Sequence, residues 1–132
     1  GIGVDASMLK TQAEGDVRIS FKGLIPDDDL VAFYNSVDVF VFPTWLEGYG
    51  LPIVEAMACK KPVVVMGDAD IPWEIKKRCV IVQELDSLLG NESYLRRRCE
   101  EVNLESNYQF AKGHNWTTTL DQYLKVYEEV AS

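Results

Sequence analysis

The sequence predicts an α/β fold built as a three-layer parallel sheet, and three observations carry that prediction. Short runs that are apolar throughout recur at 39–42 ("VFVF"), 62–66 ("PVVVM") and 79–82 ("CVIV"), the pattern of strands covered on both faces. Amphipathic or apolar stretches of helical length lie before and between them. The resulting alternation of helix and strand implies parallel pairing through right-handed crossovers.

Taken in order, residues 17–21 ("VRISF") alternate apolar and polar and predict a half-covered strand, ended by Gly23 and Pro26. Asp27, Asp28 and Asp29 suit a helix N-terminus, and Leu30, Phe33, Tyr34 and Val37 follow at helical spacing. Val39 to Phe42 is the first buried strand, stopped by Pro43. Pro52 fits the first turn of the next helix, where its lack of an N–H does no harm, and "IVEAMACK" carries that helix to Lys60. Strands from Pro62 and from Cys79 follow. Residues 93–112 are helical with mixed periodicity, and Thr117 to Val130 places Leu120, Tyr123, Leu124 and Tyr127 on one face of a last helix. No repeat or linker divides the chain, so residues 1–132 are expected to form a single domain.

With 132 residues, 47% of them hydrophobic, the chain is long enough for one core. A formal net charge of -8 argues against a nucleic-acid groove or an anionic membrane surface as partner. The basic clusters at 60–61, 76–78 and 96–98 read as solvated helix faces and loop ends. Cys59, Cys79 and Cys99 have no metal-ligand spacing, and their odd number favours reduced thiols in a cytoplasmic protein. No apolar run approaches the ~20 residues of a membrane span. The first residue is Gly1, not Met, which favours a piece of a longer chain. The single histidine, His114, sits between Gly113 and Asn115 and reads as solvent-facing, not as a base.

The candidate site lies in "TWLEGYGLPIVEA", residues 44–56. Ligands of open α/β sheets collect beyond the carboxyl ends of the strands, which is where this loop begins. Its two glycines permit close backbone approach, and the helix that follows turns amide donors and a positive dipole end outward, toward a diphosphate. Glu55 falls about one turn inside that helix, where a carboxylate can accept hydrogen bonds from a diol such as a ribose; Glu47 falls in the loop, toward whatever lies beyond the phosphates. One carboxylate on a loop and the other within a helix do not form a glycosidase pair.

The order Glu, Gly-x-Gly, Pro, Glu, helix in "EGYGLPIVEAMACKKPVVV" resembles the E-x7-E region of the retaining glycosyltransferases of family 4, with the GT-B fold. The likeness extends upstream through "VRISFKGLIPDDDLVAFYNSVDVFVFPTWL" and downstream to "NWTTTLDQYLKVYEEV". It implies a Rossmann-like C-terminal domain that binds a nucleotide-sugar donor, a UDP-, GDP- or ADP-sugar, with no metal and no other cofactor. Residue by residue, Glu55 would hold the ribose hydroxyls and Glu47 would act catalytically beside the transferred sugar. Gly48, Tyr49 and Gly50 would offer amides to sugar and phosphates, Leu51 and Pro52 would lead into the helix, and the backbone around Gly23 would border the nucleobase. Two departures stand out. Lys60 and Lys61 replace the family's Gly-Thr, and "GDADIPWEI" is an altered form of its "G-x-P-E" turn, with Trp73 inserted before Glu74.

The resemblance thus implies a hexosyltransferase that retains anomeric configuration. Its carbohydrate or lipid-linked acceptor would be held by an N-terminal domain outside these residues, so the isolated chain is expected to be inactive. The alternative is a stand-alone module that binds a nucleotide or nucleotide sugar without catalysis. A cytoplasmic location, peripheral on the membrane for a longer protein, and self-association of the fragment complete the expectations.

Overall fold

In the computed structural model, residues 5–44 and 50–113 are described, and the chain divides into two compact units, residues 1–30 and 31–132. Helix α1 (Ala6–Gln12) lies in the first unit and α2 (Asp27–Asn35) runs across the division. Strands β1 (Phe40–Phe42), β2 (Val63–Met66) and β3 (Val80–Val82) then alternate with α3 (Leu51–Ala58) and α4 (Trp73–Lys76). Helices α5 (Leu85–Leu89), α6 (Glu92–Glu100) and α7 (Leu104–Gly113) follow.

The three strands form one parallel sheet in the order β1-β2-β3, with Phe40 opposite Val63 and Val64 opposite Val80. The fold is α/β and Rossmann-like, and each predicted buried strand is present within a residue of its expected bounds. All four residues of β2 are buried, as its place between two neighbours requires. Ile53, Val54, Ala56, Met57 and Ala58 of α3 pack with them, giving a helix apolar nearly all round. The outer edge of β3 does not lie bare: Arg98 of α6 donates from Nη2 to the Ile81 carbonyl at 3.1 Å.

Helix α3 ends in a Schellman motif. The Lys60 N–H donates to the Met57 carbonyl and the Lys61 N–H to Ala56, both at 3.0 Å, with Lys60 itself left-handed at φ 55°. A left-handed position of this kind suits glycine, and here the turn is kept with a lysine in it. The Lys60 side chain reaches α7, pairing with Glu105 at 3.0 Å and lying 4.8 Å from the centre of the Tyr108 ring.

Residues 17–21 are not the predicted strand. Asp16 accepts from the Arg18 N–H, Nε and Nη2 at 3.0, 2.9 and 2.6 Å, and the Ile19 N–H turns back to the Asp16 carbonyl. A local turn therefore takes the groups that a ladder would use, and Val17 stands 98% exposed. The predicted helix over 93–112 is two helices, because Asn103 breaks it and caps the second by accepting from the Ser106 N–H at 2.9 Å. The helix expected at 117–130 lies outside the described residues.

Candidate functional site

Parallel strands bring Phe42, Met66 and Val82 to one edge of the sheet, its carboxyl edge, and α3 starts from that edge after the loop following β1. Gly50 opens the helix with φ 70° and ψ 47°, left-handed geometry that an L side chain would strain, and it is buried. Its carbonyl takes the N–H groups of Ile53 (2.9 Å) and Val54 (3.2 Å), while Pro52 has none to give. Leu51 is thus the first-turn residue whose amide lacks an acceptor within the helix, and with Gly50 it marks where backbone donors face outward.

Glu55 sits one turn deeper and is only 8% exposed. A carboxylate is seldom buried without a donor, and Tyr34 of α2 supplies one, its hydroxyl lying 3.0 Å from Glu55 Oε2 and 3.4 Å from the Pro52 carbonyl. Phe33 and Phe40 pack edge-on to the Tyr34 ring at 5.5 and 5.2 Å, fixing the phenol in place. Burial first, then the neighbouring Glu55 charge, drives the Tyr34 hydroxyl far above its ordinary value, so it remains a donor at any physiological pH. The arrangement holds one buried carboxylate in a fixed rotamer under a helix N-terminus, a pair of groups able to grip hydroxyls and an anion together.

Tyr34 is the partner of Glu55 that periodicity concealed. It counted as one of an apolar helical stripe, and its only signal was that a buried phenol needs a partner. Of the residues expected at the site, Gly50, Leu51, Pro52 and Glu55 come together on α3. Gly23 lies in the first unit at φ 64°, with open space where a Cβ would stand. Glu47, Gly48, Tyr49 and His114 lie outside the described residues.

The altered turn after β2 reaches the same edge. Lys76 ties it together by donating from Nζ to the carbonyls of Gly67 and Ala69, and Pro72 starts α4. Trp73 is 63% exposed, and Glu74 pairs with Lys77 at 3.0 Å. Among the described residues no group of three or more His, Cys, Asp or Glu is gathered as a metal site would gather them, and no helix is long and apolar enough to cross a membrane.

Comparison with known proteins agrees with this architecture. Residues 1–87 match the family "Glycosyl transferases group 1". The O-antigen chain mannosyltransferase B of Escherichia coli is 31% identical over 124 residues, covering 87% of this chain and 31% of that protein. The phosphatidyl-myo-inositol mannosyltransferase of Mycobacterium leprae is 30% identical over 141 residues, 97% of this chain and 36% of that protein. A serotype-specific mannosyltransferase of Escherichia coli reaches 52% identity over 61 residues, 43% of this chain and 8% of that protein. The chain therefore spans about a third or less of the relatives it matches. No solved structure matches it. On the family match and the relatives aligned along nearly its full length, this chain belongs to the glycosyl transferases group 1 family.

Proposed function

We propose that this chain forms the donor side of a glycosyl transfer reaction, binding a nucleoside diphosphate sugar at the carboxyl edge of its sheet. The observation that carries the reading is Glu55, 8% exposed and oriented by the Tyr34 hydroxyl one turn below the start of α3. In this reading Glu55 accepts the two ribose hydroxyls. The amides of Gly50 and Leu51, with Gly48 and Tyr49, receive the diphosphate at the positive end of the helix. Pro52 sets the entry of the helix, the backbone at Gly23 borders the base, and Glu47 stands at the transferred sugar. Mannose is the sugar that the relatives' names favour.

The reaction is a retaining transfer. The bond from the anomeric carbon to the diphosphate oxygen breaks, and the acceptor oxygen bonds to that carbon on the same face. The acceptor hydroxyl proton passes to the departing phosphate oxygen. Amide donors aimed at the developing phosphate charge supply the stabilisation, which is why the chemistry asks for no metal. A carbohydrate or lipid-linked acceptor would be held by a domain outside these residues.

Amide NMR titration of the chain with GDP, UDP and ADP in turn tests this reading. Saturable shifts at Gly50, Leu51 and Glu55 are expected with one of the three, and Glu55→Gln should weaken that binding by about tenfold or more, the worth of one hydrogen bond to a charged group. Glu55→Ala in a full-length protein containing this domain should lower transfer by about a hundredfold with the fold unchanged. Full transfer by that variant would overturn the assignment.

A further inference from the structure

The opposite, amino edge of the sheet holds a cavity of about 430 Å³, bordered by the start of β3, the end of α6 and the start of α7. Its size falls in the range of small-molecule sites. In a chain of net charge -8, its walls carry Lys77, Arg78 and Arg98 against one carboxylate, Glu101. The two arginines are fixed mostly by neutral groups. Arg78 donates from Nε to the Glu74 carbonyl (3.2 Å) and from Nη1 to Ser106 Oγ (3.3 Å), and its guanidinium lies 4.2 Å from the centre of the Phe110 ring. No carboxylate pairs with it among the described residues, and its Nη2 has no protein acceptor there. Arg98 donates to Tyr94 Oη (3.0 Å) and the Ile81 carbonyl (3.1 Å), with Glu101 3.7 Å from its Nε. Held in place with charge to spare, these are groups suited to a phosphate.

Asn107 adds a second, different demand. It lines the same cavity, is 4% exposed, and donates from Nδ2 to the Arg78 carbonyl at 3.0 Å, yet its Oδ1 has no donor among the described residues. A buried acceptor without a donor calls for one from outside the chain. Cations that seek an anion, beside an acceptor that seeks a hydroxyl or amide hydrogen, describe one kind of ligand. We infer that this cavity binds a hydroxylated phosphate ester, the anion on Arg78 and Arg98 and a ligand hydroxyl on Asn107. The site is separate from the donor edge and does not depend on the proposed transfer. The same chemistry occurs in a free sugar phosphate and in a phospholipid headgroup.

The test is an NMR titration of the chain with glucose 6-phosphate, read at the Arg78 and Arg98 Nε–H signals and the Asn107 side-chain amide, with glucose as control. Saturable shifts with the ester and none with glucose are expected. Ser106→Asp sets a carboxylate against Arg78 in the first turn of α7, where an acid suits the helix. It should weaken binding about tenfold or more, the worth of one charge-assisted hydrogen bond. Ser93→Asp places the same charge in the first turn of α6, outside the cavity, and should leave binding unchanged. Co-sedimentation with phosphatidylglycerol vesicles in excess of phosphatidylcholine vesicles, lost in Ser106→Asp and kept in Ser93→Asp, would make the source a lipid headgroup; glucose 6-phosphate binding without it would make the source a free ester. Neither ligand binding, or binding equal in Ser106→Asp and the unaltered chain, overturns the inference.

Discussion

At the carboxyl edge of the sheet a buried carboxylate, Glu55, sits beneath the start of α3, whereas at the amino edge Arg78 and Arg98 line a cavity where α6 ends and β3 begins. Both arrangements follow from one geometric fact. A helix that crosses between parallel strands runs against them, so α3 turns its positive end to the carboxyl edge and its negative end to the amino edge. The first edge can receive an anion with few cations of its own; at the second, Arg78 and Arg98 donate to the carbonyls of Glu74 and Ile81. The lesson is that a net charge of -8 describes neither edge. The basic clusters that composition reads as solvated faces include the arginines that line a cavity.

Two buried thiols mark the amino edge, and alkaline pH exposes them. Burial pushes the thiols of Cys59 and Cys79, both toward the amino edge, up to about 12. In the unfolded chain they ionise near the ordinary thiol value, and between that value and about 12 the unfolded state sheds protons that the folded state keeps. Unfolding free energy should therefore fall as pH rises through this window, by about 1.4 kcal/mol per pH unit for each thiol. Urea unfolding in reductant between pH 9 and 10 measures it, below the ordinary phenol value at which Tyr34 would contribute in the same sense. Cys79→Ala should remove one thiol's share of the slope, about 1.4 kcal/mol per pH unit; a flat profile would mean that the thiols ionise without unfolding the chain.

At the carboxyl edge the corresponding probe is Tyr34→Phe. It deletes the hydroxyl that donates to Glu55 Oε2 and leaves the ring packing on Phe33 and Phe40 intact. The expected loss is about 1.5–3 kcal/mol of stability, the range for a hydrogen bond to a charged group. Because the phenol also orients Glu55, nucleotide binding should weaken while the amide shifts at Gly50 and Leu51 persist at higher ligand concentration. Unchanged nucleotide affinity would reduce Tyr34 to a structural neighbour.

How far the sequence disclosed this depends on the range of each interaction. The strands were legible because burial on both faces writes itself locally as Val63-Val64-Val65 and its counterparts. Gly50, Pro52 and Glu55 were legible as a loop entering a helix, since all the signals fall within six residues. Residues 17–21 misled because alternation reports a preference for one covered face and supplies no ladder partner, and the Asp16–Arg18 fork was available at once. Helices of four and five residues, α4 and α5, are too short to show a period. The bond from Tyr34 to Glu55 joins residues 21 apart, and the Arg78–Ser106 bond joins residues 28 apart. No local pattern announces either, so the support beneath one edge and the cavity at the other emerge only from the fold.

The smallest effect concerns the turn that carries α3 from one edge to the other. Lys60 holds φ 55°, a conformation that costs a side chain about 1–2 kcal/mol and glycine nothing. Against that cost stand its solvent-screened ion pair with Glu105 and its approach to the Tyr108 ring, the latter worth about 0.5–1 kcal/mol. Replacing lysine by glycine should thus leave stability within about 1 kcal/mol of the parent, since strain and contacts vanish together. Lys60→Ala removes the contacts and keeps the strain. The comparison that isolates the backbone is between the two variants, with Lys60→Gly expected to be the more stable by about 1 kcal/mol in urea unfolding. Equal stabilities would show that the Schellman turn relaxes when the lysine is gone, and that contact with α7, not the course of the backbone, holds Lys60 in its left-handed state.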